Sequence, residues 1–217
     1  RRFEREAQIM SGLEHPHIAR VYDYGEEHGT HYIVMEFVKG QDLGHLLKTQ
    51  GPFGLEQTIS ILKPIASALD YAHQRGLIHR DVKASNILLE QETGRPVLMD
   101  FGIAKLTNQT ALTGTGGMVG TLDYIAPEQI QAAETLDGRA DLYSLSVLAY
   151  QLLTGELPFK RQNAGALLMA HLTQPAPDAR TLRPELTSAC AHALMRGMAK
   201  NPADRPASAS ELIALLA

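Results

Sequence analysis

The chain has 217 residues, 44% hydrophobic and 20% charged, enough to bury a substantial core in one domain or two closely packed lobes. Twenty Lys and Arg against 24 Asp and Glu leave a net charge of −4, which gives no support to a nucleic-acid binder or a polybasic membrane anchor. A single cysteine, Cys190, excludes an intramolecular disulfide framework and suits a reducing compartment.

The chain opens on Arg1-Arg2-Phe3-Glu4, with neither a methionine nor a signal peptide, and is expected to be a piece of a longer protein. Phe3, Ala7 and Met10 recur at i, i+4 and i+7 among polar residues, which predicts an amphipathic helix closed by Ser11-Gly12. His15-Pro16 then acts as a breaker, because proline pushes the residue before it out of the α region. Two β-rich runs, Ile18 to Tyr24 and His31 to Val38, flank turn residues Gly25 to Thr30 and read as a hairpin. His28 and His31 lie at that solvated turn with no third ligand nearby, so a metal pair is not expected there. Lys39-Gly40 marks a candidate lobe boundary.

Beyond it the composition turns helical. Ile59, Leu62, Ile65, Ala66 and Leu69 line one face of a helix from about Leu55 to Gln74, with a kink expected at Pro64. Ile87 to Leu89 and Val97 to Met99 flank Gln91-Glu92-Thr93-Gly94 and suggest a second hairpin. Leu142 to Leu153 is apolar on nearly all sides, as a central buried helix would be, yet too short and too polar to span a bilayer. Ser208 to Ala217 reads as a last amphipathic helix capped by Ser208. Cys190, between two alanines, reads as a small core residue.

The chemistry is concentrated in His79-Arg80-Asp81-Val82-Lys83-Ala84-Ser85-Asn86, with Asp100-Phe101-Gly102 placed so that Asp100 falls fourteen residues after Asn86. Asp81 can accept a proton from a hydroxyl nucleophile, and Lys83 can neutralise charge on a transferring group. Asn86 and Asp100 present hard oxygen ligands, the kind Mg²⁺ takes alongside phosphate oxygens. Phosphoryl transfer asks mainly for positioning and charge neutralisation, and these residue types supply both.

This stretch resembles the catalytic loop H-R-D-L-x-x-x-N of the eukaryotic-type protein kinase superfamily, with Val82 in the leucine position. Asp100-Phe101-Gly102 matches its metal-binding D-F-G, and Ala126-Pro127-Glu128 its A-P-E. Asp141 opens the long apolar helix as in the family's D-x-[WY]-S-x-G pattern, and Thr154 to Phe159 and Arg205 also fit. The resemblance runs the length of the chain and leans toward bacterial serine/threonine kinases. It implies an α+β, protein-kinase-like bilobal fold. Residues 1–38 would be the remnant of the N-terminal lobe, and residues 39–217 the helical C-terminal lobe with the catalytic loop and activation segment.

The resemblance also implies a role for each matching position. Asp81 is expected to be the catalytic base, Lys83 to contact the γ-phosphate, and Asn86 and Asp100 to hold Mg²⁺. Met35 is the expected gatekeeper, with the backbone of Glu36 and Val38 bonding adenine. Asp42 falls at a ribose contact, Leu88 forms the floor under the base, and Glu6 pairs with the ATP-anchoring lysine. Met10, Val21, His79 and Phe101 are expected to stack into a hydrophobic spine. Lys83 and the Gly120-Thr121 pair point to the serine/threonine branch. Thr110, Thr113 and Thr115 lie in a segment expected to be mobile until phosphorylated, with Thr113 and Thr115 at the autophosphorylation positions and Arg80 as the phosphate's partner. Gly114 to Gly120 belongs to that segment and is not a phosphate-cradling loop.

The implied cofactors are ATP and Mg²⁺. The implied partners are protein substrates and a second copy for autophosphorylation in trans, with no nucleic acid. The expected location is cytoplasmic, in a longer protein that is itself a candidate for membrane tethering. Ala84 replaces the family's usual proline without removing a chemical group. The family's glycine-rich loop and ATP-anchoring lysine do not occur among these residues, and Lys39 and Lys48 come too late to substitute. The alternative is therefore a pseudokinase-type binding scaffold. Intact Asp81, Asn86 and Asp100 speak against it, and A-P-E with the long loop before it speaks against a small-molecule phosphotransferase. The 217 residues alone are expected to be inactive and aggregation-prone.

Overall fold

The computed structural model describes residues 8–101, 122–133, 135–161 and 163–217. Helical residues 8–11 lead into a loop and then the antiparallel pair β1 (Val21–Glu27) and β2 (Thr30–Met35). The hairpin is tighter than the turn residues suggested. His28 and Gly29, at φ 51° and 78°, form a two-residue turn whose positive angles match the strands' twist. Gly25 to Glu27 therefore continue β1 and pair with Tyr32 to Thr30. Ile18 and Val38 lie outside this pair: Ile18 forms an isolated parallel bridge with Leu98.

The position marked as a boundary runs directly into a strand. β3 (Gly40–Asp42) pairs with β4 (Ile87–Glu90), which pairs with β5 (Pro96–Leu98). Nothing in Gly-Gln-Asp favours a strand. The close approach demands it, since a Cβ on Gly40 would lie 2.1 Å from the Leu89 carbonyl oxygen. The expected second hairpin is thus present, with a third strand on its edge.

Between β3 and β4 lie α1 (Leu43–Gln50) and α2 (Leu55–Gln74). Helix α2 occupies the predicted bounds and runs through Pro64 as one element. The rest of the chain supplies α3 (Pro127–Ile130), α4 (Arg139–Thr154), α5 (Ala164–Thr173), α6 (Ser188–Gly197) and α7 (Ala209–Ala214). Helix α4 is the axis of the core. Leu142, Leu145, Leu148 and Leu152 are almost wholly buried, and α2, α6 and α7 pack around it. Met10, Val21 and Phe101 belong to the same large apolar cluster, and the His79 ring centroid lies 4.6 Å from that of Phe101. Cys190 is buried in that core.

Helix ends are closed by short polar side chains. Ser208 accepts from the Glu211 N–H as predicted, and Asp70 of α2 accepts from the Ala209 and Ser210 N–H groups at 2.8 and 2.9 Å. Glu128 of α3 forms a buried two-point ion pair with Arg205, at 2.6 and 2.9 Å. This fixes α3 against the body of the molecule.

Candidate active site

The loop before Asp81 is held from below. Asp141, in the first turn of α4, accepts the His79 and Arg80 backbone N–H groups at 2.8 Å each, and the His73 Nε2–H at 2.7 Å. Burial alone would raise this carboxyl, yet those donors keep it ionised below the usual carboxylate range. Arg80 takes a left-handed backbone, φ 64°, which a non-glycine residue keeps only where its surroundings enforce it. His79 is fully buried, and desolvation lowers its pKa, so it is neutral. Its Nε2–H donates to the Met99 carbonyl at 2.8 Å, and its Nδ1 accepts the Asp81 N–H at 3.2 Å. One ring thereby ties the catalytic loop to the strand that delivers Asp100.

Asp81 receives two partners on one oxygen. Lys83 Nζ lies 2.8 Å from Oδ2, and Asn86 Nδ2 lies 3.1 Å from it while also reaching the Asp81 carbonyl at 2.9 Å. Asn86 thus spends its amide hydrogens on Asp81, which turns its oxygen away as an acceptor. The Asn86 carbonyl accepts the Met99 N–H at 2.8 Å, so the backbone of Asn86 is joined to the residue preceding Asp100. Asp100 is exposed and also left-handed, at φ 49°. The Asn86 amide oxygen and the exposed Asp100 carboxylate are hard donors that fit Mg²⁺, which usually takes one or two protein oxygens beside water and phosphate. No group of three or more His, Cys, Asp or Glu that could hold a metal occurs among the described residues.

Of the expected nucleotide residues, Val38 packs with Leu88, and Leu88 pairs with Asp42. Met35 ends β2, and Glu36 and Val38 follow in the linker. Val38 and Leu88 pack in one small apolar cluster with Ala19 and Val97. Asp42 pairs with Leu88 across β3 and β4, and its Oδ1 caps α1 by accepting the His45 N–H. Glu6, Gly102, Gly114 to Gly120, Thr110, Thr113, Thr115 and Thr121 lie outside the described residues.

Sequence reading missed two supporting residues. Arg95, between β4 and β5, bonds Glu36 at 2.9 Å, Glu90 at 3.2 Å and the Pro16 carbonyl at 2.6 Å. The Glu90 carboxylate, bonded to Arg95 and Thr93, is held below its ordinary pKa. Gln129 reaches from α3 to the Arg80 carbonyl. Gln129 adjoins A-P-E, yet its bond to Arg80, like that of Arg95 to Glu36, joins residues far apart in the chain. Asp141 carried a signal, as a carboxylate at the head of an otherwise apolar helix, but its acceptor role needed the fold.

Two small sheets, a helical body around α4 and a strapped Asp81–Lys83–Asn86 loop define a protein-kinase fold of the α+β class. The sequence profile of the protein kinase domain matches residues 1–214, and the chain belongs to that family. It is 42% identical to the serine/threonine-protein kinase Pkn3 of Myxococcus xanthus, over 96% of this chain and 40% of that protein. Among solved structures, the PknI kinase domain of Mycobacterium tuberculosis matches with a TM-score of 0.80 at 34% identity, over 99% of this chain and 77% of that one. Rad53 residues 1–466, in complex with AMP-PNP, matches with a TM-score of 0.82 at 27% identity, over all of this chain and 55% of that one. The chain spans about two fifths of the length of Pkn3.

Proposed function

We propose that the protein to which these residues belong transfers the γ-phosphate of ATP to serine and threonine hydroxyls of protein substrates. The observation that carries this reading is the convergence of Lys83 Nζ and Asn86 Nδ2 on Asp81 Oδ2, at 2.8 and 3.1 Å. Asp81 orients the substrate hydroxyl and accepts its proton as the new O–P bond forms and the bond to the ADP leaving group breaks. Lys83 then turns to the transferring phosphoryl group, where its charge is needed. Asn86 and Asp100 would hold Mg²⁺, which would supply charge neutralisation on the phosphate oxygens. The Glu36 carbonyl and Val38 N–H take the edge of the adenine, Leu88 its face and Asp42 the ribose, with Met35 as gatekeeper. AMP-PNP bound to Rad53 supports the same nucleotide chemistry.

In this reading residues 1–38 and 39–217 are parts of the two kinase lobes, Glu6 pairs with an ATP-anchoring lysine, and the domain works where ATP is found, in the cytoplasm. No described helix is long and apolar enough to cross a membrane. Phosphate on Thr113 or Thr115 regulates the enzyme, supplied by a second copy. Radiolabelled transfer by the full-length protein is the test. Asp81→Asn is expected to lower turnover about 10²-fold or more, with a smaller effect on ATP affinity. Retention of more than about a tenth of wild-type turnover would remove Asp81 from the role of base.

A further inference from the structure

We propose that Gln129 is a positioning residue for Asp81, acting through the peptide that joins Arg80 to Asp81. The proposal rests on the kinase reading for its consequence and on geometry for its substance. Gln129 Oε1 accepts the Ala126 N–H at 3.0 Å, and Nε2 donates to the Arg80 carbonyl at 3.2 Å. One neighbour can only donate and the other can only accept, so the amide has a single satisfactory orientation. Its donor is therefore committed to Arg80.

That carbonyl matters because of what shares its peptide plane. The plane's other polar group is the Asp81 N–H, which donates to His79 Nδ1 at 3.2 Å. The plane is thus held at both ends, by Gln129 at its C=O and by His79 at its N–H. On the far side of Arg80, Asp141 holds the Arg80 N–H. Arg80 sits at φ 64°, a region costly for a residue with a Cβ, so release of one support lets the peptide rotate. Rotation carries the Asp81 carboxylate with it, away from its meeting point with Lys83 and Asn86. Transfer rates respond strongly to small misplacements of this kind.

Gln129 itself is on a firm base. Its neighbour Glu128 is buried against Arg205, and Gln129, Arg80, Asp81, Tyr124 and Ser144 line one small crevice. The amide therefore reports the seating of α3, which follows the activation segment, directly to the catalytic loop. Asp141 secures that loop from the core, and Gln129 secures it from α3.

A helix-capping role predicts something different, and the difference is measurable. Glutamate at this third helical position is a favoured capping residue, and a negative charge near a helix N-terminus is stabilising. Gln129→Glu keeps the acceptor for Ala126 but sets a carboxylate oxygen against the Arg80 carbonyl. In the full-length protein, Gln129→Glu should melt at or above the wild-type temperature while kcat falls about tenfold and the KM for ATP stays within about twofold. Gln129→Met, which loses both bonds, should lose a similar factor in kcat. Amide hydrogen exchange across residues 79–83 should quicken in both variants, a readout that needs no catalysis. A Gln129→Glu protein with wild-type kcat or unchanged exchange at 79–83 would reduce Gln129 to a helix cap and overturn the proposal. Faster exchange in variants of a wild type that transfers no phosphate would instead uphold the support and refute the kinase reading.

Discussion

At the level of single residues, the site is a problem in satisfying polar atoms inside a dry environment. His79 works because it is neutral: burial keeps the proton off one nitrogen, so a single ring donates to Met99 and accepts from Asp81. A second buried histidine, His171, lies away from the site. It is fully buried, with Nδ1 2.9 Å from the Tyr143 hydroxyl, Nε2 without a hydrogen-bond partner among the described residues and its ring edge-on to Phe159. Burial, aided by the charge of Lys200, lowers its pKa to about 4 from 6.5. As pH falls from about 6.5 toward 4, the unfolded chain takes up this proton and the folded chain does not, so stability drops over that window. The shift corresponds to about 3 kcal/mol, and His79 adds in the same direction. Urea unfolding at pH 7.5 and 4.5 should therefore show a smaller acid loss in His171→Phe than in the wild type. An equal loss in both would mean that His171 protonates freely in the folded state. Residues of this kind were hardest to read in advance. Asp81, Lys83, Asn86 and Asp100 carry their chemistry within one short stretch, whereas Gln129 and Arg95 act on partners 49 and 59 positions away. Only folding brings those partners within reach.

At the level of elements, periodicity told most where one face is buried. Helices α2 and α4 follow their apolar patterns closely, and the Ser208 cap was visible as a residue type at a helix start. Strand β3 could not be read this way, because its three residues have no β preference and exist as a strand only through β4. The first hairpin's register depends on two positive φ angles, and histidine gives little warning of one. Around these short elements Arg95 acts as a joint, holding the linker through Glu36, the loop after the first helix through Pro16, and β4 through Glu90. Arg95 and Glu36 are about a quarter exposed, which tempers the strength of each bond. Removing them together frees the linker that the proposed function sets against adenine. Arg95→Ala should raise the KM for ATP about five- to tenfold while kcat changes less than about twofold, as steady-state kinetics would show. A fall in kcat with an unchanged KM would place the joint's effect elsewhere than on adenine.

For the whole molecule, the contrast between the helical body and the first sheet governs behaviour in solution. The body closes on α4 and leaves only scattered apolar side chains such as Met169 and Leu182 exposed, whereas Tyr22, Tyr32 and Val34 cluster in the small first sheet at 62%, 42% and 45% exposed, and Phe37 in the adjoining linker is 89% exposed. Among the described residues β1 and β2 form a sheet of two strands. Strands with open polar edges and bare apolar side chains invite pairing with another chain, and an isolated two-stranded sheet is weak by itself. A second copy of the same chain offers the same edge and the same side chains, so self-association is the expected outcome for the 217-residue polypeptide. Light scattering should detect species larger than a monomer at concentrations of about 50 μM, where contacts of modest affinity become populated. Val34→Lys and Phe37→Lys together should restore a monomer, because a charged edge cannot be buried against its twin without loss of hydration. Neither side chain contributes to the buried core, so the melting temperature should stay within a few degrees of the starting chain. A monodisperse monomer of the unmodified chain at about 200 μM would show that the first sheet protects itself, and the exposed aromatics would then have no part in association.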